Sequence, residues 1–191
     1  MKHWRFFLSL EKDFIALQDF IEIDPDNFEV FSLELSKLLQ MSCAELDSVL
    51  RVLCEEVSDE CDFANHESRN GKIGEYKKVL FARFPEIEKS EVYLPHLNHS
   101  ISPWVGWTNK KPPSWWRSYN MVKHYRHSNF KEATLKNVIS SLAALMLANL
   151  YLYRIVLDKP YANPSPQTLY FSCEYLSPLL SCRAEKELPS A

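Results

Sequence analysis

Residues 132–158 carry apolar side chains on nearly every face of a helix. Val138, Ile139, Leu142, Ala143, Leu145, Met146, Leu150, Leu152, Tyr153 and Val156 leave no wide polar stripe. A helix that is apolar all round needs cover on all sides, from other helices or from lipid. Asn149 and Arg154 interrupt the stretch 137–157, whose longest unbroken apolar run is 142–148. That run is far short of the roughly 20 apolar residues of a bilayer span. The expectation is the central helix of a bundle, with no membrane and with a role at an oligomer interface as the alternative.

The rest of the chain supplies the cover. Trp4, Phe7, Leu8, Phe14, Ile15, Leu17 and Ile21 make an amphipathic helix over 3–22, stopped by Asp24-Pro25-Asp26-Asn27. Ser32 can cap a second helix running to about Val57, with Leu35, Leu38, Leu39, Ser42, Leu46, Val49, Leu50 and Leu53 close to the 3.6 period. An acidic loop over 58–71 and a shorter helix over 72–84 follow. Residues 85–113 hold Pro85, Pro95, Pro103, Pro112 and Pro113 and no helical pattern, with Glu91-Val92-Tyr93-Leu94 as a short strand. Ser114 can cap a helix to about His127, and a break at Ser128-Asn129 precedes the last helix.

Four or five helices predict an all-α up-and-down bundle with a long loop containing Pro and Trp. Residues 1–160 form one domain on this reading. Residues 161–191 form a Pro-containing tail that packs on the bundle or extends from it, with an extended piece at Leu169-Tyr170-Phe171.

Only three glycines occur, Gly71, Gly74 and Gly106. That argues against a Rossmann or P-loop site, whose clustered glycines let the backbone approach phosphate. Five cysteines with no CxxC pair suit a reducing cytoplasm. Met1-Lys2-His3-Trp4-Arg5 meets acids at Glu11 and Asp13 with no small-residue cleavage site, so no signal peptide is expected.

Charge is unevenly spread. Residues 1–107 hold 11 Lys/Arg against 20 Asp/Glu, whereas 108–136 hold seven basic residues against Glu132 alone. A basic island in an acidic protein attracts phosphate, or pairs with the acidic part of its own fold. Its centre is Trp115-Trp116-Arg117-Ser118-Tyr119-Asn120-Met121-Val122-Lys123-His124-Tyr125-Arg126-His127. On a helix Arg117 and His124 are nearly two turns apart and share a face with Asn120, and Lys123 is adjacent. Arg grips phosphate bidentately, and His exchanges protons near neutral pH. Such a face can hold an RNA phosphodiester and assist attack by its 2′-hydroxyl.

Arg-x4–6-His arises by chance about 0.75 times in a chain with eight Arg and six His. The plain alternative is Arg117 paired with surface acids beside an ordinary helix histidine.

The segment resembles the HEPN superfamily, small helical domains named for higher eukaryotes and prokaryotes nucleotide-binding. Their ribonuclease motif is Arg-x4–6-His on a late helix, often with a polar residue such as Asn nearby, and Arg117-x6-His124 with Asn120 fits it. The strings WWRSYNMVKHYR and FKEATLKNVISSLAALMLANLYLY, and more loosely DNFEVFSLELSKLLQMSCAELD, look like a group of bacterial HEPN-like proteins, so the resemblance covers about residues 5–157. The residue after Arg is often Asn, Asp or His in active members, and here it is Ser118.

The resemblance implies a metal-independent endoribonuclease without cofactor, acting as a homodimer in a toxin–antitoxin or phage-defence system. Arg117, His124 and Asn120 would be catalytic. Lys123, Arg126, His127 and Tyr119 are the expected substrate contacts. RNA is the expected partner, with an antitoxin or regulatory protein as a second. The alternative is a non-catalytic helical module that binds RNA or protein.

Three further groupings have competing readings. His96, His99, His124 and His127 can offer four imidazoles to a metal, an arrangement less usual than one containing Cys or carboxylate. Trp104, Trp107, Trp115 and Trp116 either stack bases or fill a core, and core is the commoner role. Glu45 and Asp47 either sit on a solvated flank, the favoured reading, or turn toward the basic face of 117–124.

Overall fold

The computed structural model describes residues 2–59, 61, 73–107, 111–158 and 163–173. Its elements are α1 (Lys2–Ala16), α2 (Leu33–Val57), α3 (Ile73–Arg83), β1 (Val92–Leu94), β2 (His99–Ile101), α4 (Ser114–Asn129) and α5 (Leu135–Leu157), joined in places by short 3-10 turns. The fold is all-α apart from one small antiparallel hairpin, in which Val92 faces Ile101 and Leu94 faces His99. The expected strand at 91–94 forms β1 over 92–94. Its partner follows because Asn98 adopts the left-handed conformation (φ 47°) and reverses the chain, a conformation Asn tolerates better than most residues. The loop expected at 58–71 lies mostly outside the described residues.

α5 is the central helix. Every residue from Ser141 to Leu150 is buried. α5 is also the one helix among the described residues long and apolar enough to cross a membrane, but 72% of its most apolar window is buried inside the fold. α2 is its main neighbour, α1 and α4 each touch both, and α3 lies on α2. Leu35, Leu39, Leu46, Leu50 and Leu53 of α2 are fully buried, each contributing roughly 1.5–3 kcal/mol relative to exposure. Where α2 and α5 meet, the hydroxyls of Ser42 and Ser141 share a buried hydrogen bond of 2.7 Å. Each hydroxyl also donates or shares with its own helix, at Leu39 O and Val138 O, so the polar pair is compensated in place.

Helix ends are satisfied locally. Ser32 Oγ accepts the Leu35 N–H at 3.1 Å. Thr134 Oγ1 caps α5 by accepting from Asn137 N. The first N–H groups of α5, at Leu135 and Lys136, donate to the carbonyls of Val30 and Phe28, which removes orphan donors that a helix start otherwise leaves.

Two details differ from expectation. Ser114 does not cap α4: Pro113 takes that position, and its carbonyl accepts the Arg117 N–H at 3.2 Å, with no side-chain cap. The second difference is a kink at Tyr125 (φ −136°, ψ 43°), inside a helix that ends at Asn129, where the expected break at Ser128-Asn129 falls. Asn129 Nδ2 donates to the Tyr125 carbonyl at 3.1 Å, closing the turn that the kink opens.

Residues 163–173 lie against α1. Trp4 Nε1 donates to Pro166 O at 2.7 Å. Phe171 sits between Phe7 and Phe14, with ring centroids 6.2 and 5.7 Å away. Ser172 pairs with Tyr93 across an isolated antiparallel bridge, so the segment ties α1 to the hairpin.

Candidate functional site

α4 divides its faces between core and solvent. Trp115, Trp116, Ser118, Tyr119 and Val122 are buried, whereas Arg117, Met121, Lys123 and His124 are exposed and Asn120 is half-buried. At 3.6 residues per turn Arg117 and His124 lie about 20° apart around the axis, with Asn120 about 60° from Arg117. All three precede the kink, so regular spacing applies to them. The same geometry separates Arg117 and His124 by about 10 Å along the axis.

Among the described residues the side chains of Arg117, Asn120 and His124 have no hydrogen-bond or ion-pair partner. The acid closest in sequence, Glu132, accepts instead from Ser118 Oγ at 2.9 Å. Ser118 therefore points inward, about a quarter-turn away from the exposed strip. The reading of Arg117 as a member of a surface ion pair is not what is found.

The expected substrate contacts divide. Lys123 is exposed, with Nζ 5.5 Å from the Tyr119 ring centroid. Tyr119 does not belong to the exposed strip. It lies more than half a turn from Arg117, is 5% exposed, and sets its ring against Trp116 at 5.3 Å. Burial pushes its hydroxyl up to about 12, with smaller contributions from Cys43 and Asp47. Arg126 and His127 are exposed but follow the kink, which takes them out of register with Arg117 and His124. The Arg126 guanidinium lies 5.1 Å from the Phe130 ring.

The four tryptophans form core. Trp104 stacks on Trp107 at 5.1 Å, and Trp115 meets both Trp104 and Trp116 edge to face. Trp115 Nε1 donates to Pro103 O at 2.7 Å, which fastens the loop beneath α4. The four imidazoles do not converge: His96 stacks on Tyr170 and His99 lies against Phe28. Among the described residues there is no group of three or more His, Cys, Asp or Glu placed to hold a metal ion.

Glu45 and Asp47 part company. Glu45 Oε1 accepts from His3 at 2.6 Å, joining α2 to α1. Asp47, expected on a solvated flank, enters a cleft of about 520 Å³ between α2 and α4, lined by Ala44, Asp47, Arg51, Trp116, Asn120 and Lys123 and closed by Tyr119 and Ile73. Asn120 and Lys123 line the same cleft, and His124 does not. Tyr76 donates to Asp47 Oδ1 and Arg51 Nε to Asp47 Oδ2, both at 2.9 Å. Burial works against the Arg51 charge, but the bond to Asp47 outweighs it and holds the guanidinium protonated. Burial, then Asp47, pushes the Tyr76 hydroxyl well above its ordinary value, so it stays a donor.

Arg51 and Tyr76 escape a sequence search for site residues. The Asp47-x3-Arg51 spacing is a legible i,i+4 pair, but nothing in the sequence says that it faces α4. Asn120 is the shared residue: it borders the cleft and lies beside the exposed strip.

No protein-family model, curated protein or solved structure matches this chain. What the site offers must be argued from its chemistry. The strip supplies a guanidinium, an amide and an imidazole, none of them hydrogen-bonded or ion-paired among the described residues; the His124 ring lies 6.4 Å from that of Tyr125. The cleft beside it supplies a carboxylate, two cations and an aromatic wall.

Proposed function

We propose that this protein is a metal-independent endoribonuclease of HEPN type. The observation that carries the reading is the pairing of Arg117 and His124 on one exposed helix face, neither neutralised by the protein's own groups. Both groups are solvent-exposed, so an incoming phosphodiester can reach them without displacing an internal partner among the described residues. The up-and-down helical arrangement and a cytoplasmic setting belong to the same reading.

The chemistry needs no metal. The RNA 2′-oxygen attacks the adjacent phosphorus, and its proton passes to an imidazole. The bond from phosphorus to the 5′-oxygen breaks, and that oxygen takes a proton. His124 carries the protons, Arg117 stabilises the charge on the phosphorane, and Asn120 hydrogen-bonds phosphate or orients His124. The products are a 2′,3′-cyclic phosphate and a 5′-hydroxyl.

The separation of about 10 Å between Arg117 and His124 favours a homodimer. Both side chains lean toward the N-terminus of α4, so the lean leaves their separation within one helix unchanged. Two α4 helices packed antiparallel about a two-fold axis place Arg117 of one copy beside His124 of the other. Two imidazoles then serve as base and acid. The same separation in a lone copy favours the second reading, a module that binds RNA or a protein partner without cutting.

The test is digestion of RNA by purified protein in excess EDTA, with analysis of the ends. Cyclic phosphate ends, together with resistance of DNA, support the proposal. Cleavage that stops on chelation contradicts it.

A further inference from the structure

The cleft between α2 and α4 adjoins the Arg117–His124 strip and differs from it in kind. The strip offers a guanidinium, an amide and an imidazole, and no carboxylate. The cleft has Asp47 on one wall, 30% exposed, facing Asn120 and Lys123 on the other, with Trp116 and Tyr119 as an aromatic flank. Its volume of about 520 Å³ lies within the range of small-ligand sites, and its few convergent polar groups are what such sites use to orient a ligand.

A phosphate is a poor occupant, because the Asp47 carboxylate repels it at close range. A base with an exocyclic amine is a good one. Each carboxylate oxygen has two acceptor positions. Tyr76 uses one on Oδ1 and Arg51 one on Oδ2, so acceptor capacity remains on both. Asn120, whose amide has no protein partner, offers a donor and an acceptor, and Lys123 offers donors to a ring nitrogen or carbonyl. Adenine, cytosine and guanine each present an amine next to an acceptor. Uracil presents two carbonyls and one N–H. Trp116 and Tyr119 are core side chains, 6% and 5% exposed, so they add apolar contact at the cleft wall without choosing among bases.

We propose that this cleft seats the nucleobase next to the scissile phosphate and prefers an amino-bearing base over uracil, with Asp47 as the specificity-determining acceptor. The proposal rests on the endoribonuclease reading of α4. Asn120 couples the two parts, since it lies one turn from Arg117 and His124 and borders the cleft.

The experiment titrates wild-type protein with the four nucleoside 3′-monophosphates, which cannot be cleaved, and follows binding by two-dimensional NMR. The adenine, cytosine and guanine compounds are expected to bind about tenfold more tightly than the uracil compound, the worth of one charge-assisted hydrogen bond, and to shift the Trp116 indole signal. Asp47→Asn should abolish that preference. Ala44→Phe fills the cleft from an exposed position without removing a polar group, and should weaken all four while leaving inorganic phosphate binding intact. Equal affinity for all four, or a folded Asp47→Asn with the preference unchanged, overturns the proposal. If Asp47→Asn does not fold, undiminished nucleotide binding by Ala44→Phe overturns it. Base-selective binding without RNA cleavage leaves the cleft standing and removes the nuclease. Cleavage without base selectivity does the reverse.

Discussion

Glu11 of α1 accepts the backbone N–H of Tyr170 at 2.9 Å, across 159 residues of sequence. The same carboxylate accepts from Leu169 and Phe171 N–H. It is 1% exposed, and among the described residues the groups that bond to it are these backbone N–H donors. Replacing it with Gln removes the charge from the oxygen that accepts all three N–H groups and sets an amide N–H₂ against the Leu169 N–H. Hydrogen bonds to charged groups are worth roughly 1.5–3 kcal/mol each, and their loss leaves buried groups unpaired. Glu11→Gln is expected to lose about 2–4 kcal/mol in denaturant titration, with faster amide exchange at 169–171. Wild-type exchange there would show that the carboxylate does not hold the segment.

Leu145 is fully buried at the middle of α5. An unpaired carboxylate at that depth costs several kcal/mol, comparable to the whole stability of a domain. Leu145→Asp should fail to fold, as judged by circular dichroism and the absence of a cooperative melt. A soluble, cooperatively melting variant would place α5 elsewhere than at the centre.

Alkali should unfold the protein through its tyrosines. Burial pushes the Tyr119 and Tyr170 hydroxyls up to about 12 from 10.0. The folded state therefore favours the neutral phenol. Their contribution to stability is fully present below pH 10 and is lost as the pH rises from there toward 12. Phenolate absorbance and helicity should change together in that window. Stepwise ionisation of all nine tyrosines near pH 10 with helicity retained would contradict the burial of these two.

Much of this architecture is legible in the sequence because helical periodicity and burial go together. The apolar stripes of α2 and α5 and the Ser32 cap can be read directly, as can the face shared by Arg117, Asn120 and His124. What escapes reading depends on partners distant in the chain. Glu11 occupies a core position in the run Trp4, Phe7, Glu11, Phe14, a signal that a buried carboxylate is present. Its acceptor role depends on residues 169–171, which no local pattern links to α1. Asp47 fits a solvated flank by its helical position, and only the approach of α4 makes it a cleft wall. Tyr119 sits among polar neighbours in the sequence, and only its angular position on the helix assigns it to the core. The kink at Tyr125 has no Pro or Gly to announce it.

The dimer reading gives Met121 a role. It is 39% exposed, lies between Arg117 and His124 along the helix axis and sits about 40° from Arg117 around it. Light scattering should return about twice 22.4 kDa for the wild type. Met121→Asp should return a monomer of unchanged helicity, because an unpaired charge in an apolar contact costs several kcal/mol. A wild-type monomer at micromolar concentration would remove the antiparallel pairing of α4.

The most direct measurement is the rate of RNA cleavage by His124→Ala and Arg117→Ala, each purified beside the wild type and assayed in EDTA. Both residues are exposed and make no side-chain hydrogen bond among the described residues, so both variants should keep the wild-type melting temperature. A general acid–base residue contributes at least about a hundredfold, and loss of a transition-state charge partner costs a similar factor. Each variant should therefore be at least about a hundredfold slower while still folded. Cleavage by folded His124→Ala at the wild-type rate would contradict the assignment of this helix face as the catalytic site.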